Sequence, residues 1–402
     1  MSKKRGNGEG TIYYNQKLKR WIGQITIGRQ DNGKIKRKSI YGNSRQEVKE
    51  KMINILNDIQ NSTYIEKNNI SLIEVIDAQI NESFNLNKIK ETTYIRNVQT
   101  KEIIKKFNIA NMPIQKITRT DINQDLSTLK NKYANSTIDK IYGLIRQAFN
   151  FAVLNDYISK DFFNIKDCII KPISTKKTKA VNAFSTYEQK LFLNELQKNY
   201  DEYTDIFYIL LYTGIRVGEV LALKGEDIDL KNKQININKT LTKNKQDKVI
   251  IGETTKTSSA TRTVPIMSQL FSILQKYNQF KGFLFMQNNK FIAPSTINSH
   301  FKRICKNAGI GVITTKKKKI ITNKEGNIKE QYVNLKTSIA NTHMLRHTFA
   351  TRCIENGINP AVLQKLLGHK NVQTTLDTYT TIFNKYKTEE IEKIEQYFNQ
   401  LH

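Results

Sequence analysis

The spacing of apolar and polar positions changes character twice along the chain. Thr11–Tyr14, Trp21–Ile27 and Ile35–Tyr41 are short strand-like runs joined by the turn-forming Asn15-Gln16 and Asp31-Asn32-Gly33. Ser44-Arg45-Gln46-Glu47 reads as a capping box and predicts a helix to about Gln60. From about residue 70 the period becomes helical and glycine scarce: Ser71–Phe84, Thr92–Phe107, Thr120–Lys130 and Ser136–Asn155 predict four helices. Lys166–Lys179 then breaks the pattern with a basic, irregular stretch containing Pro172, which predicts a solvated linker or hinge.

Beyond about Asn182 the pattern is mixed. Ser185-Thr186-Tyr187-Glu188 opens a helix, and Thr204–Leu211 and Val217–Leu223 are apolar segments on either side of Thr213-Gly214. Ile235–Thr240 begins a small sheet. Lys248–Thr257 and Thr261–Ile266 alternate around Ser258-Ser259 and predict a hairpin; residues 312–336, with a turn at Lys324-Glu325-Gly326-Asn327, predict another. A helix from His343 stops at Gly357, restarts at Asn359-Pro360 as cap and first residue, and stops again at Gly368. Glu389–Leu401 carries Ile391, Ile394, Tyr397 and Leu401 at helical spacing, a stripe that packs either on its own domain or on another protomer. The expected fold class is multidomain α+β: a three-stranded module with one helix, a helical domain, and a mainly α domain with a small sheet.

Charge narrows the partner. The 402 residues carry a formal net charge of +29, which points to a polyanion and, first of all, to nucleic acid. This length suggests two to three domains, each able to bury a core. No run of eighteen apolar residues exists. Met1-Ser2-Lys3-Lys4-Arg5 leads into Gly and Asn instead of an apolar signal core, so a cytoplasmic, nucleoid-associated protein is expected. Cys168, Cys305 and Cys353 are far apart and lack metal spacing, and are expected reduced and buried.

The residues that carry chemistry lie near the end of the chain. His343, Arg346 and His347 project together from about one helical turn. Gly368 delivers His369 at a helix end, and Tyr379 follows ten positions later. Imidazoles, a guanidinium and a phenol brought together suggest chemistry on a phosphate. His343 and His347 at i, i+4 are also a spacing for metal, but the zinc-protease pattern needs Glu where Met344 stands. No metal or other cofactor is expected.

Five elements now stand in order: Thr213-Gly214-Ile215-Arg216-Val217-Gly218-Glu219, Thr255-Lys256-Thr257, His343 to Arg346, Gly368-His369 and Tyr379. In this the chain resembles the tyrosine recombinases, the lambda-integrase-like family of site-specific DNA recombinases, of the phage or conjugative-transposon integrase type. The match spans about 165 residues of the C-terminal half. The front half matches by layout alone. After Tyr379 the chain reads Thr380-Thr381, where many members have Thr-His.

The resemblance implies cleavage and rejoining of DNA through a 3′-phosphotyrosyl link at Tyr379, with a 5′-hydroxyl leaving, to integrate and excise a mobile element. Arg216 and Arg346 are the expected phosphate clamp, because planar guanidinium groups match phosphate oxygens bidentately. A helix opening at Arg216 would add its field, and an ion pair with Glu219 is expected beside that role. Lys256 is the implied general acid on its hairpin; His343 and His369 either transfer protons or hydrogen-bond the phosphate, and His347 braces its helix. Residues 1–62 become an arm-type DNA-binding domain, 63–165 a helical core-binding domain, 166–181 a basic linker and 182–402 the catalytic domain. Tyr13, Tyr14, Trp21 and Tyr41 either touch DNA or form the core of the first module. The lysine-rich 312–336 hairpin either contacts DNA or a neighbouring subunit, or is solvated. Implied partners are double-stranded DNA with core and arm-type sites, three further copies in a tetramer on DNA, and an excision factor. The competing readings are a catalytically silent DNA-binding or architectural protein and a type IB topoisomerase.

Overall fold

The computed structural model describes residues 10–29, 32–61, 64–176, 183–252, 261–322, 328–376, 378–380, 391, 395 and 398–399, with backbone alone over 315–333. The chain forms two compact units, residues 1–178 and 179–402.

The first unit opens with an antiparallel sheet of β1 (Thr11–Asn15), β2 (Arg20–Arg29) and β3 (Ile35–Gly42), in that order, backed by α1 (Arg45–Gln60). Ser44 caps α1 by accepting from the Glu47 N–H at 3.1 Å, while Glu47 reaches past it to the Asn43 N–H at 2.8 Å. Gly23 lets the helix close onto the sheet, because a Cβ there would lie 2.4 Å from Met52 Sδ. The resulting small core is Ile25, Ile40, Val48 and Met52, with Ile12 and Trp21 at its edge. Tyr13, Tyr14 and Tyr41 remain exposed, so of the four aromatic residues only Trp21 joins that core.

The helical part consists of α2 (Leu72–Asn85), α3 (Glu91–Ile104), α4 (Arg119–Ser127) and α5 (Asn135–Leu154). Reciprocal capping boxes start two of them, Ser71 with Glu74 and Thr118 with Asp121. Apolar residues at helical spacing, among them Ile76, Ile80, Ile141, Ile145 and Phe149, build one fully buried core. The segment expected as a solvated linker lies instead along this unit as far as it is described. Cys168 and Ile169 are buried, Ile170 N donates to Asn123 at 2.9 Å, and Thr175 N donates to the Lys130 carbonyl at 3.1 Å. An apolar pair inside a basic stretch suffices to pin it down.

The second unit contains α6 (Thr186–Lys198), α7 (Thr204–Thr213), the one-turn α8 (Val217–Val220), β4 (Ile228–Asp229), β5 (Gln234–Ile237), β6 (Thr240–Lys243), β7 (Val249–Gly252), β8 (Arg262–Pro265) and α9 (Ser268–Gln275). It continues with β9 (Met286–Gln287), β10 (Lys290–Phe291), α10 (Pro294–Asn307), β11 (Val312–Thr322), β12 (Ile328–Ser338), α11 (His343–Glu355) and α12 (Pro360–Leu367). Residues 372–376 and 378–380 are helical as well. Phe192, Phe207 and Phe301 centre its large core.

One expectation changes here among the described residues. β7 and β8 do not pair with each other: β6 pairs with β7, and β8 pairs with β5 in the order β4-β5-β8. The turn that closes the inner hairpin is Asn244–Asp247, where Asn244 Oδ1 accepts from Gln246 N and Lys248 N and Asp247 takes φ 58°. Ser258-Ser259, expected as the turn, and Lys256 lie outside the described residues. The second expected hairpin is present as β11 against β12, paired over eleven residues on each strand, with its turn outside the described residues. Of the expected C-terminal stripe Ile391 is exposed, and Ile394, Tyr397 and Leu401 also lie outside the description. All three cysteines are buried and free. Among the described residues no helix is long and apolar enough to cross a membrane.

Candidate active site

Thr213 ends α7, and Gly214 follows with φ 65°, the left-handed conformation that glycine adopts without strain. A side chain there would collide with Phe349, only 2.3 Å from a built Cβ. That close approach brings α11 against the end of α7. Arg346, 2% exposed, uses both terminal nitrogens on helix-end carbonyls, Nη1 to Gly214 O at 2.9 Å and Nη2 to Leu367 O at 2.7 Å. One guanidinium thus ties the ends of α7 and α12 together.

Arg216 follows Gly214 by two residues. Its Nη1 donates to Glu219 at 2.9 Å and its backbone N–H to the other Glu219 oxygen at 2.9 Å, so the expected ion pair is present. α8 is only one turn long, and Glu219 occupies the amide at its start, so the expected helix field adds little to Arg216. Its side chain stays 44% exposed, leaving guanidinium hydrogens for a ligand.

Arg262 on β8 was not foreseen. It grips Glu219 at 2.7 and 3.2 Å and donates Nε to Leu366 O at 2.8 Å. Nothing in its spacing separates it from the other basic residues of so basic a chain. Burial alone would raise the Glu219 carboxyl, but hydrogen bonds and charge from Arg262, joined by Arg216, outweigh it and hold the pKa below the usual carboxylate range. Arg216 and Arg262 therefore share one carboxylate while Arg346 bonds backbone carbonyls: among the described residues Glu219 is the one carboxylate hydrogen-bonded to any of the three guanidinium groups. Burial and the Arg216 charge pull Arg346 down to about 9, so it remains charged at neutral pH. Three guanidinium groups against one carboxylate leave the site with excess positive charge.

Arg216, His343 and Arg346 line one cavity of about 310 Å³, together with Thr240, Pro294 and Thr342. His343 sits edge-on to His347, ring centroids 4.5 Å apart, as the i, i+4 spacing requires. His347 was expected to brace its own helix; its Nδ1 instead meets the Tyr379 hydroxyl at 2.9 Å. Tyr379 is 2% exposed among Phe349, Ala350, Cys353, Ile354, Leu363 and Leu367. Burial pushes its phenol up to about 12, against the opposing pull of Arg346. His347 is pulled down to about 4 by burial, His343, Arg346 and His369.

Gly368 takes φ 66°, and a Cβ on it would meet Arg262 Nη1 at 2.9 Å. The turn presents His369, whose Nδ1 lies 2.7 Å from Thr375 Oγ1, a second contact that spacing did not reveal. Burial and the charges of Arg346, Arg216, His343 and Arg262 depress His369 to about 4. The structure thus assembles Arg216, His343, Arg346, His369 and Tyr379 in one region of the second unit. Among the described residues no group of three or more His, Cys, Asp and Glu side chains is arranged to hold a metal ion.

Comparison with known proteins agrees with this geometry. The phage integrase family matches residues 183–385. The chain is 26% identical over 397 residues to the XerC-like tyrosine recombinase of Caldanaerobacter subterraneus subsp. tengcongensis, covering 93% of this chain and 95% of that protein. It is 25% identical over 373 residues to the integrase of Staphylococcus phage L54a, covering 87% and 98%. In fold it is similar to the Tn1549 transposon integrase solved with transposon right end DNA, with a TM-score of 0.63, 22% identity, and coverage of 80% of this chain and 100% of that one. The chain belongs to the phage integrase family, whose members are tyrosine site-specific recombinases.

Proposed function

We propose that this recombinase is an integrase that inserts and excises a mobile element, with Tyr379 as nucleophile. The observation that carries the reading is the unbalanced cationic cavity, where Arg216 and Arg346 converge with His343 and the single carboxylate of Glu219 supplies too little negative charge to balance the guanidinium groups. A phosphodiester supplies that charge, and guanidinium groups fixed beforehand stabilise the extra charge of the pentacoordinate transition state. Tyr379 attacks phosphorus, its phenolic proton passing to His347 Nδ1 2.9 Å away, and forms a 3′-phosphotyrosyl bond; the bond to the 5′ oxygen breaks, and that oxygen takes a proton. We assign this proton to Lys256. Reversal on a second strand rejoins DNA without an outside energy source, and no cofactor is needed.

DNA is the proposed substrate, in keeping with the transposon end bound by the similar Tn1549 integrase. Residues 182–402 are the catalytic domain, 63–165 the core-binding domain, 166–181 the linker, and 1–62 read arm-type sites through the open face of β1-β2-β3. Four copies act together on paired sites, an excision factor sets direction, and the protein works in the cytoplasm on the nucleoid.

A nicked suicide substrate tests the reading. Wild type incubated without Mg²⁺ on element-end DNA should give a denaturation-resistant 3′ adduct, and Tyr379→Phe none. An adduct that survives the substitution moves the nucleophile elsewhere. No adduct on DNA that is demonstrably bound favours a silent DNA-binding protein, and relaxation without strand exchange favours a topoisomerase.

A further inference from the structure

His369 has two ring nitrogens and, held neutral, one ring proton; which nitrogen carries it decides what the residue can do to a phosphate. Its peptide is fixed from both sides by Gln364, whose Nε2 donates to His369 O at 2.8 Å and whose carbonyl accepts from His369 N at 3.1 Å. Its ring is fixed by Thr375, which is 0% exposed and places Oγ1 2.7 Å from Nδ1. Neighbouring threonines behave differently. Thr378 donates to the Thr374 carbonyl at 2.6 Å and Thr380 to the Leu376 carbonyl at 2.7 Å, each four residues back. Among the described residues, Nδ1 of His369 is the only hydrogen-bond partner of the Thr375 hydroxyl. A buried hydroxyl that only accepted here would leave its own proton unbonded, which is costly. Donation to Nδ1 avoids this and requires that Nδ1 be bare.

We infer that Thr375 is a positioning residue: by donating to Nδ1 it keeps the ring proton of His369 on Nε2, which makes His369 a neutral hydrogen-bond donor to the phosphate and not a base. The inference rests on the phosphate reading of the cavity. Nε2 has no partner among the described residues and is free to donate. Buried hydroxyl, imidazole and ligand then form a chain of the kind in which an outer partner fixes the tautomer of an inner one.

The test uses the full chain labelled with ¹⁵N-histidine, five residues in all, with His369 assigned through His369→Gln. At neutral pH, wild type and Thr375→Ser should show His369 protonated at Nε2, and Thr375→Val should populate the other tautomer. A proton on Nδ1 in wild type overturns the inference. On the suicide substrate, Thr375→Val should slow adduct formation roughly tenfold with DNA affinity unchanged, Thr375→Ser should restore it, and Thr375→Val should add nothing in the His369→Gln background. Wild-type cleavage by Thr375→Val, or losses that add across the two sites, also overturns it. If wild type forms no adduct on DNA it binds, the phosphotyrosyl reading fails, while the spectrum still decides the tautomer.

Discussion

The Tyr379 hydroxyl and His347 Nδ1 lie 2.9 Å apart, joining the helical residues 378–380 to the second turn of α11. This bond satisfies a phenol that is otherwise sealed among apolar side chains. Removing the acceptor strands the hydroxyl, whereas removing both partners leaves an apolar contact. His347→Leu should therefore cost about 1–3 kcal/mol, and much less in a Tyr379→Phe background. Urea denaturation of the four proteins measures the coupling. Losses that simply add would mean that the two residues do not depend on each other.

The same burial fixes how the site responds to acid. His347 and His369 are both held near 4, below the ordinary 6.5, so protons bind the unfolded chain more readily. Their contribution to stability is complete above about pH 6.5 and is lost as pH falls through about 4. NMR titration should show both rings neutral at pH 6, and the urea midpoint should fall across that window. A midpoint near 6.5 for either ring would contradict the burial described for it.

Arg262 should matter more to stability than Arg216. Its side chain is 8% exposed against 44%, and it makes two hydrogen bonds to a carboxylate that is itself buried. Arg262→Met leaves Glu219 with the exposed partner alone and should cost about 3 kcal/mol. Arg262→Lys should recover only part of this, since an ammonium group cannot reproduce the fork to Glu219 together with the bond to Leu366 O. Chemical denaturation decides; equal losses for Arg216→Met and Arg262→Met would refute the ranking.

What was legible in the sequence was whatever local chemistry dictates. Ser71 with Glu74, Thr118 with Asp121 and Ser185 with Glu188 mark helix starts because the capping partners are three residues apart. Gly214 and Gly368 could be placed because a left-handed turn excludes most other residues. Contacts that depend on distant segments were not legible. His347 meets Tyr379 across 32 positions, and Arg262 meets Glu219 across 43. Strand partnership failed for the same reason: alternation marks β7 and β8 as strands, yet their partners are set by the Asn244–Asp247 turn and by β5. Which aromatic residues of the first module join its core stayed open in the sequence because period two does not say which face of a sheet the helix covers.

That last point yields a test. Tyr13, Ile22 and Tyr41 are aligned across the three strands on the face turned away from α1, with Tyr13 and Tyr41 44% and 49% exposed. Thr26 and Arg37 pair across the same face. If this face reads arm-type DNA, Tyr13→Ser with Tyr41→Ser should weaken binding of the full chain to an arm-type duplex by about 1–3 kcal/mol and lower stability by less than about 1 kcal/mol. Arg37→Gln should instead flatten the salt dependence of binding, as expected when a phosphate contact is lost. Fluorescence anisotropy across a salt series, alongside thermal melts, separates these effects. A large fall in melting temperature with unchanged DNA affinity would return the tyrosines to a purely structural role and leave the arm-type assignment without its reading surface.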